Sequence, residues 1–125
     1  MILDTNAVSA LFAGDPQIER LLSGSERHHL PVIVLGEYHY GVLRSTHRTR
    51  LLTLLDALAR ESILLHVDER TAEAYAVTRE KLRQAGRSIP ENDIWIATLA
   101  LQHGEPVVSR DRHFDQVPGI DRRVW

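Results

Sequence analysis

Met1-Ile2-Leu3-Asp4-Thr5-Asn6 begins the chain, and its reading decides what kind of fold follows. The three apolar residues read as a short buried strand closed by an acid. Thr5 or Asn6 is then placed to cap a helix running to about Phe12. The same order returns near the other end in Pro106-Val107-Val108-Ser109-Arg110-Asp111, a strand followed by a polar turn and an acid. Strands separated by helices imply a parallel sheet covered on both sides.

The segments between fill in that alternation. Gly14-Asp15-Pro16 breaks the first helix, and Pro16 starts another through Leu22. Gly24 to His29 reads as a polar connector. Pro31 introduces a helix over about Val32 to Leu43 that is apolar on most faces, and its Gly36 and Gly41 predict close approach by a neighbouring backbone. Leu51, Leu54, Leu55 and Leu58, spaced i, i+3, i+4 and i+7, mark a helix from Arg48 to Arg60. Ile63 to Leu65 is a strand, and Asp68 caps a helix ending near Gly86. A helix from Asp93 to His103, a strand from Pro106 to Val108 and a final strand from Arg122 to Val124 complete the series.

A length of 125 residues predicts one domain, 1–125. There is no cysteine, which excludes a disulfide framework, a thiolate zinc site and a cysteine nucleophile. No stretch is apolar enough to span a bilayer and no signal peptide precedes the first strand, so a cytoplasmic protein without a membrane partner is expected. The net charge of −2 does not argue for nucleic acid. Every basic residue except Lys81 is Arg, which suits phosphate but is equally explained by a GC-rich genome.

Against this background four acids stand out: Asp4, Glu37, Asp93 and Asp111 each sit at the edge of an apolar run or inside one. Desolvating a carboxylate is expensive, and a shared hard cation with a preference for oxygen ligands offers one reason for all four. Asp4 and Asp111 both follow strands, so both project into the crevice beyond the carboxyl ends of the sheet. Asp93 sits in a first helical turn, where free amides and the helix dipole favour its ionised form. Singly, Asp4 also reads as a helix cap, Asp93 as a first-turn acid and Asp111 as a turn residue. Glu37, mid-helix among apolar residues, has no such role.

Four segments carry a resemblance: Ile2-Leu3-Asp4-Thr5-Asn6-Ala7-Val8, Leu35-Gly36-Glu37-Tyr38-His39-Tyr40-Gly41, Asn92-Asp93-Ile94-Trp95-Ile96-Ala97 and Val107-Val108-Ser109-Arg110-Asp111-Arg112-His113-Phe114. In order and spacing the chain resembles the PIN-domain nucleases, and within them the VapC-type toxins of bacterial toxin–antitoxin pairs. The resemblance implies a PIN-like three-layer α/β/α fold with a short-stranded, mainly parallel, twisted central sheet. It implies that Asp4, Glu37, Asp93 and Asp111 form the acidic, metal-holding cluster and that Asn6 and Ser109 support it, Ser109 standing where the family commonly has Thr. It further implies a Mg²⁺- or Mn²⁺-dependent endoribonuclease that leaves a 5′-phosphate and a 3′-hydroxyl. An RNA substrate, a small cognate antitoxin and a homodimer or a hetero-oligomer with the antitoxin follow as expected partners.

Positive charge for an RNA strand is available at Arg44, Arg48 and Arg50, at Arg79, Lys81, Arg83 and Arg87, and at Arg110 and Arg112, each of which also reads as a solvated face. Of the seven His, only His103 and His113 are placed to lie near the acids. Leu11, Phe12, Leu21, Leu22 and the Leu51 to Leu58 stripe, with Tyr38 and Tyr40, are candidates for an antitoxin groove or for core. Trp95 and Phe114 read as core. The competing readings are an Asp-nucleophile phosphatase or receiver module, a PIN-domain RNA-processing nuclease without a toxin role, and an inactive PIN-like binding module. The first is disfavoured by Asn6 where a second Asp is wanted and by the lack of a Lys near Asp111.

Overall fold

Among the described residues five short strands form the sheet: β1 at Ile2–Leu3, β2 at His29–Pro31, β3 at Ile63–Leu65, β4 at Val107–Val108 and β5 at Arg122–Arg123. The computed structural model describes residues 1–25 and 27–125; Glu26, within the expected Gly24 to His29 connector, lies outside the described residues. The spatial order is β3-β2-β1-β4-β5 and every pairing is parallel, with Ile2 opposite both His29 and Val107. Ile2, Leu3, Leu30, Val107 and Val108 are fully buried. Central parallel strands carry helices on both faces, so they require unbroken apolar runs.

The helices are α1 (Thr5–Phe12), α2 (Pro16–Leu22), α3 (Val32–Val42), α4 (Arg48–Glu61), α5 (Glu69–Gln84) and α6 (Glu91–His103), followed by a 3-10 helix at Arg112–Gln116. Their ends are set locally. Asp15 accepts from Gln17 N ahead of Pro16, Asp68 and Thr71 form a reciprocal capping box, and Gly104 closes α6 in the left-handed region at φ 64°. The chain winds outward from β1 to β2 to β3, then returns across the sheet to β4. Right-handed crossovers therefore place α1 to α4 on one face and α5 and α6 on the other, giving the expected three-layer α/β/α architecture.

Several local expectations are corrected. His29–Pro31 is a strand, although the polar connector expected from the sequence extends to His29; a three-residue strand ending in Pro carries too little periodic pattern to mark it. Asp4, not Thr5 or Asn6, caps α1, with extended backbone and its side chain accepting from Thr5 N at 2.7 Å. α3 is only partly buried, and Gly36 and Gly41 face open space, with nothing within 4 Å of an added Cβ. The close approach expected at those glycines is absent. Phe114 is fully buried as expected, but Trp95 is only half-buried and stacks on Tyr75 with ring centroids 3.8 Å apart.

The winding reverses between β1 and β4, and the crevice at such a switch point is where open α/β sheets bind ligands. Asp4 leaves the end of β1, and Ser109, Arg110 and Asp111 leave the end of β4. Two segments a hundred residues apart are thus delivered to one place by strand pairing alone.

Candidate active site

Asp4 is 5% exposed and its two carboxylate oxygens are held differently. One accepts from Thr5 N as the helix cap; the other, Oδ2, accepts from Asn6 Nδ2 and from Ser109 Oγ, both at 2.7 Å. Burial outweighs these hydrogen bonds, and the neighbouring Asp93 and Glu37 add repulsion, so the Asp4 carboxyl is pushed up to about 6. A cation beside this carboxyl would favour its ionised form.

Asn6 and Ser109 lock the turn after β4 onto the start of α1. Asn6 Nδ2 donates to Ser109 Oγ at 3.0 Å, and Asn6 Oδ1 accepts from Arg110 N at 3.2 Å. Ser109 Oγ in turn accepts from Asp111 N at 2.9 Å. Arg122 buttresses the same turn from β5, donating to Ser109 O at 3.1 Å while its guanidinium is gripped by Asp115 at 2.6 Å and 2.8 Å. Asp115 therefore serves this ion pair rather than the acidic pocket.

Asp93, in the first turn of α6, and Asp111, which caps the 3-10 helix, converge on His113. His113 Nδ1 lies 2.9 Å from Asp93 Oδ2 and 2.9 Å from Asp111 Oδ1, and the ligand-type atoms of the three residues lie within 4.8 Å of one another. The Asp93 carboxyl is raised, mainly by burial and further by Asp111, with His113 opposing. The side chain is only 13% exposed, so burial opposes the ionised form that a first-turn position favours.

Glu37 enters from α3 and is fixed at both oxygens. It accepts from Thr5 Oγ1 and, at 2.9 Å, from Asn92 Nδ2. Asp4, Glu37, Asp93 and Asp111 line one pocket of about 560 Å³ together with Thr5, Asn6, Ser9, Tyr40 and Asn92. Within it the acids are not equivalent. Asp93 and Asp111 form the tight group with His113, while Asp4 and Glu37 line the same wall outside that group. Thr5 and Asn92 were not expected in the site, although they are chain neighbours of Asp4 and Asp93, and Tyr40, expected in an antitoxin groove or in the core, is instead exposed and lines this acidic pocket.

The other candidate positions separate. His103, at the far end of α6 from Asp93, neighbours His29 and Glu105 rather than the acids. Arg110 pairs with Asp15 at 3.2 Å and stacks 4.4 Å over the Trp125 ring. Arg48 and Arg50 donate to the carbonyls of Leu43 and Phe12. Arg79 and Arg83 pair with Glu91 and Glu80. Arg87 donates to Gln116 O at 2.8 Å. The side chains of Arg44 and Arg112 are exposed and make no hydrogen bond or ion pair among the described residues. Leu11, Phe12, Leu54, Leu58 and Arg50 line a second groove of about 360 Å³, and Tyr38 and Leu51 line a separate pocket of about 240 Å³ together with Thr5, Ser9 and Glu37. Leu22 belongs to the core and Leu21 sits beside Trp125, so neither lines that groove.

A family model described as PIN domain matches residues 1–120. Ribonuclease VapC4 of Mycobacterium tuberculosis is 34% identical over 92 residues, which cover 72% of this chain and 71% of that protein. Ribonuclease VapC5 of the same organism is 31% identical over 121 residues, covering 94% and 87% respectively. Among solved structures, a DNA-bound VapBC from Salmonella typhimurium matches with a TM-score of 0.89 at 26% identity, over 99% of this chain and 96% of that one.

Proposed function

Since the chain belongs to the PIN-domain family and, within it, to the VapC ribonucleases, we propose that it is a divalent-metal-dependent endoribonuclease acting as the toxin of a toxin–antitoxin pair. The observation that carries this reading is the convergence of Asp4, Glu37, Asp93 and Asp111, from four separate segments, on one open pocket. The donor set fits a hard cation. Two carboxylate oxygens already close on a single nitrogen at 2.9 Å, and the raised Asp4 and Asp93 carboxyls are those a cation would return to the ionised form.

Asp93 and Asp111, with Asp4, would hold Mg²⁺ or Mn²⁺, and Glu37 would complete the acidic wall. When bound, such an ion supplies charge neutralisation for the phosphodiester, a more acidic water and stabilisation of the leaving oxygen. The chain's own residues provide rigidity: Ser109 and Asn6 orient Asp4, while Thr5 and Asn92 orient Glu37. His113 places Nδ1 between Asp93 and Asp111, within hydrogen-bond distance of both carboxyl groups. Arg44 and Arg112 are the free guanidinium groups we assign to RNA phosphates.

An antitoxin would lay an apolar segment in the Leu11–Phe12–Leu54–Leu58 groove and direct a basic side chain towards Glu37. A homodimer, alone or joined to antitoxin, is the proposed assembly. No helix among the described residues is long and apolar enough to cross a membrane. The cytoplasm is the proposed place of action, a reading supported by an RNA substrate.

The test is cleavage of RNA by the purified chain with Mg²⁺ or Mn²⁺, beside Asp4→Asn and an EDTA control, with end-group analysis of the products. Full-rate cleavage in EDTA, or equal rates for parent and Asp4→Asn, would defeat the proposal.

A further inference from the structure

The chain contains two Phe, three Tyr and two Trp, and six of these seven rings have an evident structural occupation. Phe12 meets Tyr38 edge-on at 5.3 Å, and Tyr75 stacks on Trp95 at 3.8 Å. Trp125 lies under the Arg110 guanidinium and donates to Asp15 at 3.1 Å, and Phe114 is buried in the core. Tyr40 is the exception. It is 65% exposed, and neither its ring nor its hydroxyl has a partner among the described residues. Folding does not account for an aromatic side chain in that setting, so its position is informative.

Tyr40 lines the acidic pocket and is absent from the apolar groove and from the separate pocket lined by Tyr38. It lies three residues beyond Glu37 on α3, hence on the same helix face at a Cβ separation of about 5–6 Å. That is the reach between a phosphate and a base of the same strand. The pocket itself is built of acids, the chain carries a net charge of −2, and few arginines nearby are unpaired. Electrostatic attraction alone therefore holds an RNA strand poorly here, and a contact independent of charge is needed.

We propose that Tyr40 is a base-stacking platform: it receives a nucleobase of single-stranded RNA whose neighbouring phosphodiester is presented to the pocket of Asp4, Glu37, Asp93 and Asp111. This rests on the ribonuclease reading above and adds a substrate subsite to it. Every base has a π-face, so the contact tolerates sequence, and it requires a base splayed from any helix, which selects unpaired RNA.

The experiment compares the parent chain with Tyr40→Phe, Tyr40→Leu and Tyr40→Ala on a short oligoribonucleotide with a mapped cleavage site, in Mg²⁺ or Mn²⁺. Tyr40→Phe should match the parent. Tyr40→Ala should raise KM about five- to 150-fold with kcat little changed, and Tyr40→Leu should fall between. The dependence of KM on salt should be the same in all four proteins, because no charge is removed. Replacing the nucleotide flanking the cut by an abasic ribose should erase the difference between parent and Tyr40→Ala. A Tyr40→Ala defect undiminished on the abasic substrate overturns the proposal. So does a variant that cleaves normally but resists inhibition by a protein partner, which would make Tyr40 a partner contact. A parent that cleaves no RNA overturns the ribonuclease reading and this one with it, whereas an active parent matched by Tyr40→Ala overturns this one alone.

Discussion

Ser109 Oγ donates to Asp4 Oδ2 at 2.7 Å, joining the ends of two neighbouring parallel strands across 105 residues of chain. The same oxygen accepts from Asp111 N, so one buried hydroxyl sets the positions of two acids.

Ser109→Ala should leave the fold intact and lower kcat about tenfold or more. The Asp111 amide and one Asp4 oxygen each lose a partner, at a stability cost on the order of 1–3 kcal/mol. Ser109→Thr keeps the hydroxyl and should retain most of the activity. Steady-state kinetics and urea unfolding of the three proteins check this; an Ala variant with parent kcat would remove Ser109 from the positioning role.

Stability without metal should fall as pH rises from about 4 to 6. Asp4 carries its proton up to about 6 in the folded chain, against 3.8 for the ordinary group, so the folded state binds more protons in that window. Stability contributed by this group is present at acid pH and lost as pH climbs through the folded value, a penalty on the order of 3 kcal/mol at neutrality. Asp93 shifts in the same direction. Added Mg²⁺ should consequently raise the Tm much more at pH 7.5 than at pH 5. Thermal melts across that range with Mg²⁺ or EDTA measure it, and a Mg²⁺ effect independent of pH would contradict the account.

Asp93→Asn should abolish cleavage, and its metal-free form should be at least as stable as the parent at pH 7.5. The change removes the repulsion from Asp111, and an amide, which both donates and accepts, can still pair with His113 Nδ1 in either tautomer. The Mg²⁺-dependent rise in Tm should shrink or vanish. A strongly destabilised variant would mean that Asp93 is chiefly structural.

Arg110 and Arg112 should behave differently although they flank the same acid. Arg112→Ala should weaken RNA binding and reduce the slope of log K against log salt by about one, as for a lost phosphate contact. Arg110 is occupied by Asp15 and Trp125, so Arg110→Ala should leave that slope unchanged and lower kcat through a loosened turn after β4. Equal salt slopes for both variants would refute the distinction.

Leu51, Leu54, Leu55 and Leu58 announced α4, Pro16 announced α2, and Asp68 announced α5, because each signal is complete within one or two turns of chain. β2 escaped notice because three residues ending in Pro carry almost no period. The glycines of α3 misled because helix propensity records a cost without saying whether a neighbour or open solvent accounts for it. Tyr40 and Tyr38, two residues apart, read alike in sequence and part company only in the structure, one facing the acids and the other meeting Phe12.

By itself the sequence determined the alternation of strands and helices, the parallel sheet and the four unusual acids. These follow from local pattern and from the cost of desolvating a charge. Which acids come closest was decided only by tertiary structure. Strand pairing across β1 and β4 sets Asp4 beside Ser109, and the 3-10 helix turns His113 between Asp93 and Asp111. Burial, which raises the Asp4 and Asp93 carboxyls, is likewise a property of the assembled core and has no counterpart in any single segment.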